Sequence, residues 1–178
     1  MTRMKATMAS KILDEYDSKI TTCVETGTWR GHTTRIFSGI FARVHTIDYD
    51  LRHYNTTRKA MRREGKWRNV KHHLGDSKNW IPILSQAYEN RPVFWFLDAH
   101  WQLNDALVNE FSSPLMSELD VLAARTQPDI ICVDDIHAFG RDTLTWSNVS
   151  YASILSRLPD GRVKSSAKCG DHFAIWCN

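Results

Sequence analysis

Apolar and polar positions along this chain switch repeatedly between two periods, and the switching predicts its architecture. Residues 5–19 place Met8, Ile12, Leu13 and Tyr16 at helical spacing. A short β-prone run, Thr22–Thr26, then ends at Gly27. The unit recurs. Thr33–Phe41 reads as a helix and Arg43–Asp48 as a short strand. Leu51–Glu64 is a helix rich in Arg and Lys, stopped by Gly65, and Asn69–Leu74 is the strand after it. Asn79–Tyr88 is helical, and Pro92–Leu97 is a continuous apolar run of the kind buried on both faces of a sheet. Asn104–Arg125 is helical, Asp129–Val133 is a second buried strand, and Ser147–Leu158 is a last helix. Arg162–Ala167 and His172–Trp176 then form a hairpin over Lys168–Asp171.

Five rounds of strand and helix before a closing hairpin imply an α/β fold, a parallel sheet covered by helices on both faces. No repeat, low-complexity block or linker divides the 178 residues, so a single domain is expected over 1–178, with an N-terminal helix in 1–20 and the hairpin at 162–176.

Composition changes this picture little. Hydrophobic residues make up 42% and charged residues 24%, enough for a sizeable core. The net charge of +3 is too small to call for a polyanionic partner. The basic segment Arg58–His73 tempts a nucleic-acid reading, but a solvated helix face explains it more simply, and no nucleic-acid partner is expected. Cys23, Cys132, Cys169 and Cys177 sit in or beside apolar strands without C-x-x-C spacing, which favours buried reduced thiols over disulfides or zinc. The first 20 residues are charged throughout, unlike a signal peptide, and no run approaches ~18 apolar residues, so a cytoplasmic protein without membrane spans is expected.

In parallel sheets the ligand lies over the carboxyl ends of the strands, where strand order reverses. Here every such end carries an acid: Glu25, Asp48, Asp76, Asp98, then Asp134 and Asp135. The first motif is Glu25-Thr-Gly27-Thr28-Trp29-Arg-Gly31, between strand and helix. Gly27 allows a tight turn and Gly31 opens the helix. The glycines are four apart, unlike a dinucleotide loop, so a ligand with an amino-acid group fits better than a pyrophosphate. Glu25 can orient the loop or accept from the ligand's ammonium, although a generic strand–helix turn would look similar. Asp48 is placed to hold two ribose hydroxyls, with Asp50 as a competitor or a helix cap. Asp76 in Gly75-Asp76-Ser77 can accept from an adenine amino group or cap the next helix, and the two readings are compatible because Ser77 can cap instead.

Asp98, Asp134 and Asp135 on one rim suggest a divalent cation such as Mg²⁺, since clustered buried carboxylates need a neutralising charge. A cation would lower the pKa of a substrate hydroxyl, with His100 as a general base and His137 as a second candidate or an outer partner. The simpler alternative makes Asp135 a helix cap and the histidines surface residues.

Together these motifs resemble the class I S-adenosylmethionine-dependent methyltransferases, over about Thr21–Val133. Phe96–Trp101 (FLDAHW) and Cys132–His137 (CVDDIH) are similar to the metal-dependent O-methyltransferases of the catechol, macrolide-sugar and glycan-modifying types. The resemblance implies a Rossmann-like, seven-stranded, mostly parallel sheet with an antiparallel last strand. It places S-adenosylmethionine against Glu25, Gly27, Thr28, Gly31, Asp48, Asp76, Ser77 and Asp98, and a metal on Asp98, Asp134 and Asp135. Catalysis would fall to His100 and Asp98. Two departures stand out. Trp29 replaces the middle glycine of the loop, and Gln102 replaces the lysine that follows Asp-His-Trp in catechol O-methyltransferase. The implied reaction is methyl transfer to a hydroxyl oxygen of a small molecule or sugar. With no inserted cap domain, selection falls to the N-terminal helix, to 102–113, to 138–148 or to a partner subunit, which is consistent with a homodimer. The alternatives are a nucleotide binder without catalysis, an Asp/His metal hydrolase and a nicotinamide oxidoreductase. The glycine spacing and the lack of Tyr-x-x-x-Lys count against the last.

Overall fold

The structure, a computed structural model, describes residues 4–15, 19–99, 113–141 and 146–178. Its elements run α1 (Ala6–Asp14), β1 (Thr22–Thr26), α2 (His32–Ile40), β2 (Arg43–Asp48), α3 (Leu51–Arg63), β3 (Val70–Leu74), α4 (Ser77–Ala87), β4 (Phe94–Leu97), α5 (Leu115–Ala123), β5 (Ile130–Val133), α6 (Tyr151–Leu155), β6 (Val163–Cys169) and β7 (His172–Cys177). They form one seven-stranded sheet in the order β3-β2-β1-β4-β5-β7-β6. Only β7 runs against the other strands.

Alternation along the central strands builds the two sides. In β4, Phe94 and Phe96 pack with α1–α3, while Trp95 and Leu97 pack with α4–α6. All four side chains are at most 3% exposed, which is why the sequence there is uniformly apolar. Phe37 of α2 meets Phe94 and Phe96 edge-on, with ring centroids 5.6 and 5.2 Å apart. The four cysteines are free and buried.

Two helices are shorter than their periodicity suggests. Ser150 and Ser153 cap α6 reciprocally, at 3.0 and 2.8 Å, so the helix starts at Tyr151 and Trp146–Asn148 form a turn before it. Of the helix expected over Asn104–Arg125, only Leu115–Ala123 is helical among the described residues, and 104–112 lie outside them. Arg125 leaves the helix to enter a buried ionic cluster. Its Nε donates to Asp129 at 2.7 Å, and Arg162 donates to the same oxygen at 2.8 Å. The other Asp129 oxygen accepts from the Val93 N–H. This cluster pins the starts of β4 and β5, at the end of the sheet away from the carboxylate rim.

The strand order reverses between β1 and β4, because β1 leads outward to β2 and β3 and β4 then returns to its other side. The crevice therefore opens above Thr26 and Leu97.

Candidate functional site

Gly27 leaves β1 at φ +84°, and a Cβ there would come within 2.3 Å of the Asp98 carbonyl oxygen. The loop and the end of β4 are therefore in backbone contact at the switch point. Gly31, at φ +67°, opens α2 and packs against Thr57 of α3. Between them Trp29 adopts φ +45°, a costly conformation for a residue with a side chain. Two hydrogen bonds hold it: its N–H donates to Asp48 Oδ2 at 2.6 Å, and Thr57 Oγ1 donates to its carbonyl at 2.8 Å.

Glu25 lies beneath this loop, 1% exposed. Its Oε2 accepts from the hydroxyls of Thr34 and Thr46 at 2.6 and 2.7 Å, and its Oε1 is buried with no hydrogen-bond partner. Burial pushes its carboxyl up to about 8, against the pull of those two hydroxyls. Thr28 joins the same chain through a 2.6 Å hydroxyl contact with Thr46.

The second and third strand ends divide their carboxylates between structure and rim. Asp48 accepts from Trp29 N and, through Oδ1, from Asp50 N at 2.8 Å, so it ties the glycine loop to β2. Burial lifts its pKa while those N–H donors oppose the rise. Asp50 caps α3 through Arg52 N and Asp76 caps α4 through Lys78 N. Of the two roles open to Asp50 and Asp76, capping is the one the described contacts fill. Ser77 is buried and Asp76 alone caps the helix; Glu118 on α5 lies near Ser77 with both carboxyl oxygens buried and without a hydrogen-bond partner among the described residues. Glu118 is 1% exposed, and burial raises its carboxyl to about 7. Tyr49 and Leu51, flanking Asp50 at the rim, are more than half exposed.

Asp134 lies close enough to Asp98 and to Asp135 to feel the charge of each. Burial first, then the charges of Asp98 and Asp135, push Asp134 up to about 9. Its Oδ1 lies 3.1 Å from Nε2 of His172. Nδ1 of His172 faces the Cys169 carbonyl at 3.1 Å, and burial lowers the pKa of the imidazole against the pull of that carbonyl and of Asp171 and Asp135. Apart from their close approach, neither Asp134 Oδ1 nor His172 Nε2 has a hydrogen-bond partner among the described residues, and both atoms are buried. Among the described residues, the side chains whose donor atoms converge as a candidate cation site are a different set: Asp135, His137 and Asp171, within 4.8 Å of one another. Asp135 sits at φ +55° without capping the turn that follows. His137 Nδ1 is 2.8 Å from Asp171 Oδ2. His100 lies outside the described residues.

No protein-family model matches the sequence, and neither does any curated protein. Solved structures do match. The SAH-bound methyltransferase PaMTH1 of Podospora anserina superposes with a TM-score of 0.64 at 15% identity, over 99% of this chain and 79% of that one. A SAM-dependent methyltransferase from Aquifex aeolicus gives 0.57 at 19% identity, over 94% and 87%. A methyltransferase from Geobacter sulfurreducens gives 0.59 at 14%, over 99% and 80%. The chain has the class I methyltransferase fold. Within that fold, sequence reasoning missed one rim group, Asp171, which was visible only as a turn residue. No described helix is long and apolar enough to cross a membrane.

Proposed function

We propose that the chain is an S-adenosylmethionine-dependent methyltransferase that methylates a hydroxyl oxygen of a small molecule or sugar with the help of a divalent cation. The observation that carries the reading is Glu25: a buried carboxyl at the strand-order switch whose Oε1 has no donor. An amino-acid ammonium supplies that donor and favours the ionised carboxylate. The glycine loop fits the same ligand, since Gly27 leaves no room for a side chain between β1 and β4.

Bound there, S-adenosylmethionine supplies a methyl group on a positively charged sulfur. The chain's own residues would position it. Asp48, already oriented by two backbone donors, has lone pairs left for ribose hydroxyls, and exposed Tyr49 beside it offers a ring face to adenine. Asp76 and Ser77 lie at the next strand end, where the base edge would fall. Asp98 lies near Asp134 on the proposed acceptor side. Asp135, His137 and Asp171 supply oxygen and imidazole donors suited to Mg²⁺ or Mn²⁺, with Asp98 and Asp134 beside them. A cation there would lower the pKa of an acceptor hydroxyl. His100, three residues past Leu97 in the sequence, is the proposed base. In-line placement of methyl and oxygen supplies the rest of the acceleration.

The reading is tested by incubating the chain with labelled S-adenosylmethionine and a panel of catechols, sugars and glycosides, with Mg²⁺ or with EDTA. It predicts S-adenosylhomocysteine and an O-methyl product, suppressed by EDTA. Binding without turnover of any acceptor would favour a non-catalytic nucleotide binder instead.

A further inference from the structure

We propose that the outward face of α3 and the turn after it form a docking surface for a single-stranded nucleic acid, apart from the carboxylate rim. Thr57 and Met61 turn the inner side of α3 into the core. The outer side presents Arg58, Arg62 and Arg63, followed by Lys66, Arg68 and, on the edge strand β3, Lys71, all exposed. Residues 51–75 hold eight Lys and Arg against one acid, Glu64, whereas the whole chain holds 23 against 20. Glu64 is already engaged by Arg35 at 2.6 and 2.8 Å. Among the described residues, none of the six cations just named has a carboxylate within 4 Å; the surface ion pairs lie elsewhere.

A merely solvated helix face carries acids interspersed at i+4, and this one carries none. The sequence reading of a solvated face therefore gives way to one of like charges held together without counter-charges, which favours a polyanion. Aromatic rings single out which one. Trp67 is 44% exposed, with the Arg62 guanidinium 5.3 Å above its ring, and Arg58 lies 5.8 Å over Tyr54. A surface indole among cations without carboxylate partners suits a strand whose phosphates meet the cations and whose unpaired bases stack on the ring. A duplex would withhold its bases. A bilayer would need an apolar helix face, and that of α3 is buried.

The test is fluorescence anisotropy of a labelled single-stranded RNA of about 20 nucleotides, titrated with the full chain from about 50 to 200 mM KCl. The wild type should bind, with affinity falling steeply with salt. Arg58→Ala/Arg62→Ala/Lys66→Ala should bind at least about tenfold more weakly, with the slope of log K against log salt smaller by about two, near 0.7 per lost phosphate contact. Trp67→Ala should bind about tenfold more weakly with the slope kept. Lys5→Ala/Lys11→Ala/Lys19→Ala makes the same change in net charge on another face and should bind like the wild type. Circular dichroism melts confirm folding, since every substituted side chain is exposed. The binding readout needs neither cofactor nor acceptor, so it stands or falls separately from methyl transfer. Absence of RNA binding at the lowest salt overturns the proposal, as does equal loss in the patch and control variants. Tighter binding to the matching duplex, or to anionic vesicles, also overturns it.

Discussion

Replacing Glu25 by Gln should make the ligand-free protein more stable above neutral pH and less stable in acid. The folded carboxyl titrates near 8, against an ordinary value of 4.5. The folded state therefore holds this proton more tightly than the unfolded state does. Its contribution to stability is full below about pH 4.5 and is lost as pH rises to about 8. The difference of about 3.5 units corresponds to about 5 kcal/mol between those limits. Gln keeps the shape, and its carbonyl can still accept from Thr34 and Thr46. Its amide takes the place of Oε1 and lacks an acceptor, costing about 1–3 kcal/mol at every pH. Well above pH 8 the variant should gain about 2–4 kcal/mol, and at pH 5 it should lose up to about 2 kcal/mol. Urea midpoints measured at unit pH steps from 5 to 8, with m-values checked for constancy, give the difference directly. Other titrating groups, Glu118 among them, cancel in the comparison. A wild type and variant whose stabilities run parallel with pH would refute the reasoning about Glu25.

Three further outcomes follow from the geometry. Gly27→Ala puts a Cβ within 2.3 Å of the Asp98 carbonyl at a positive φ, so it should cost about 3 kcal/mol or more in urea unfolding and weaken cofactor binding as well. Asp129→Ala strands two buried guanidinium groups and should cost about 3–5 kcal/mol, read as a fall in Tm, while leaving the affinity of the remaining folded protein for the cofactor unchanged. Asp171→Ala should weaken Mn²⁺ binding about tenfold or more by calorimetry, because it removes one of three converging ligands together with the hydrogen bonds that hold His137 in place.

Much of the fold was legible because local chemistry and burial agree. Thr22–Thr26 and Arg43–Asp48 were bounded correctly from sequence, since Gly27 ends one β-branched run and a helix-capping Asp50 follows the other. The rim carboxylates were legible because parallel topology sends every strand's carboxyl end to one side. Partner choice at that rim was not. Asp48 reads as a ribose ligand, yet the missing middle glycine also makes it the acceptor that holds Trp29 in a left-handed turn. Asp171 reaches Asp135 and His137 only because β7 inserts antiparallel beside β5 and brings the hairpin turn to the rim. Glu118 turns inward only because α5 packs against α4. Such contacts depend on tertiary geometry, which no local pattern encodes.

The central claim is a binding claim, and calorimetric titration of S-adenosylmethionine into the purified chain between pH 5.5 and 7.5 tests it most directly. Saturable one-site heat is expected, with affinity rising with pH as Glu25 gives up its proton to meet the ammonium, and with that pH dependence lost in Glu25→Gln. No heat from the wild type, or an affinity indifferent to both pH and Glu25, would contradict the account.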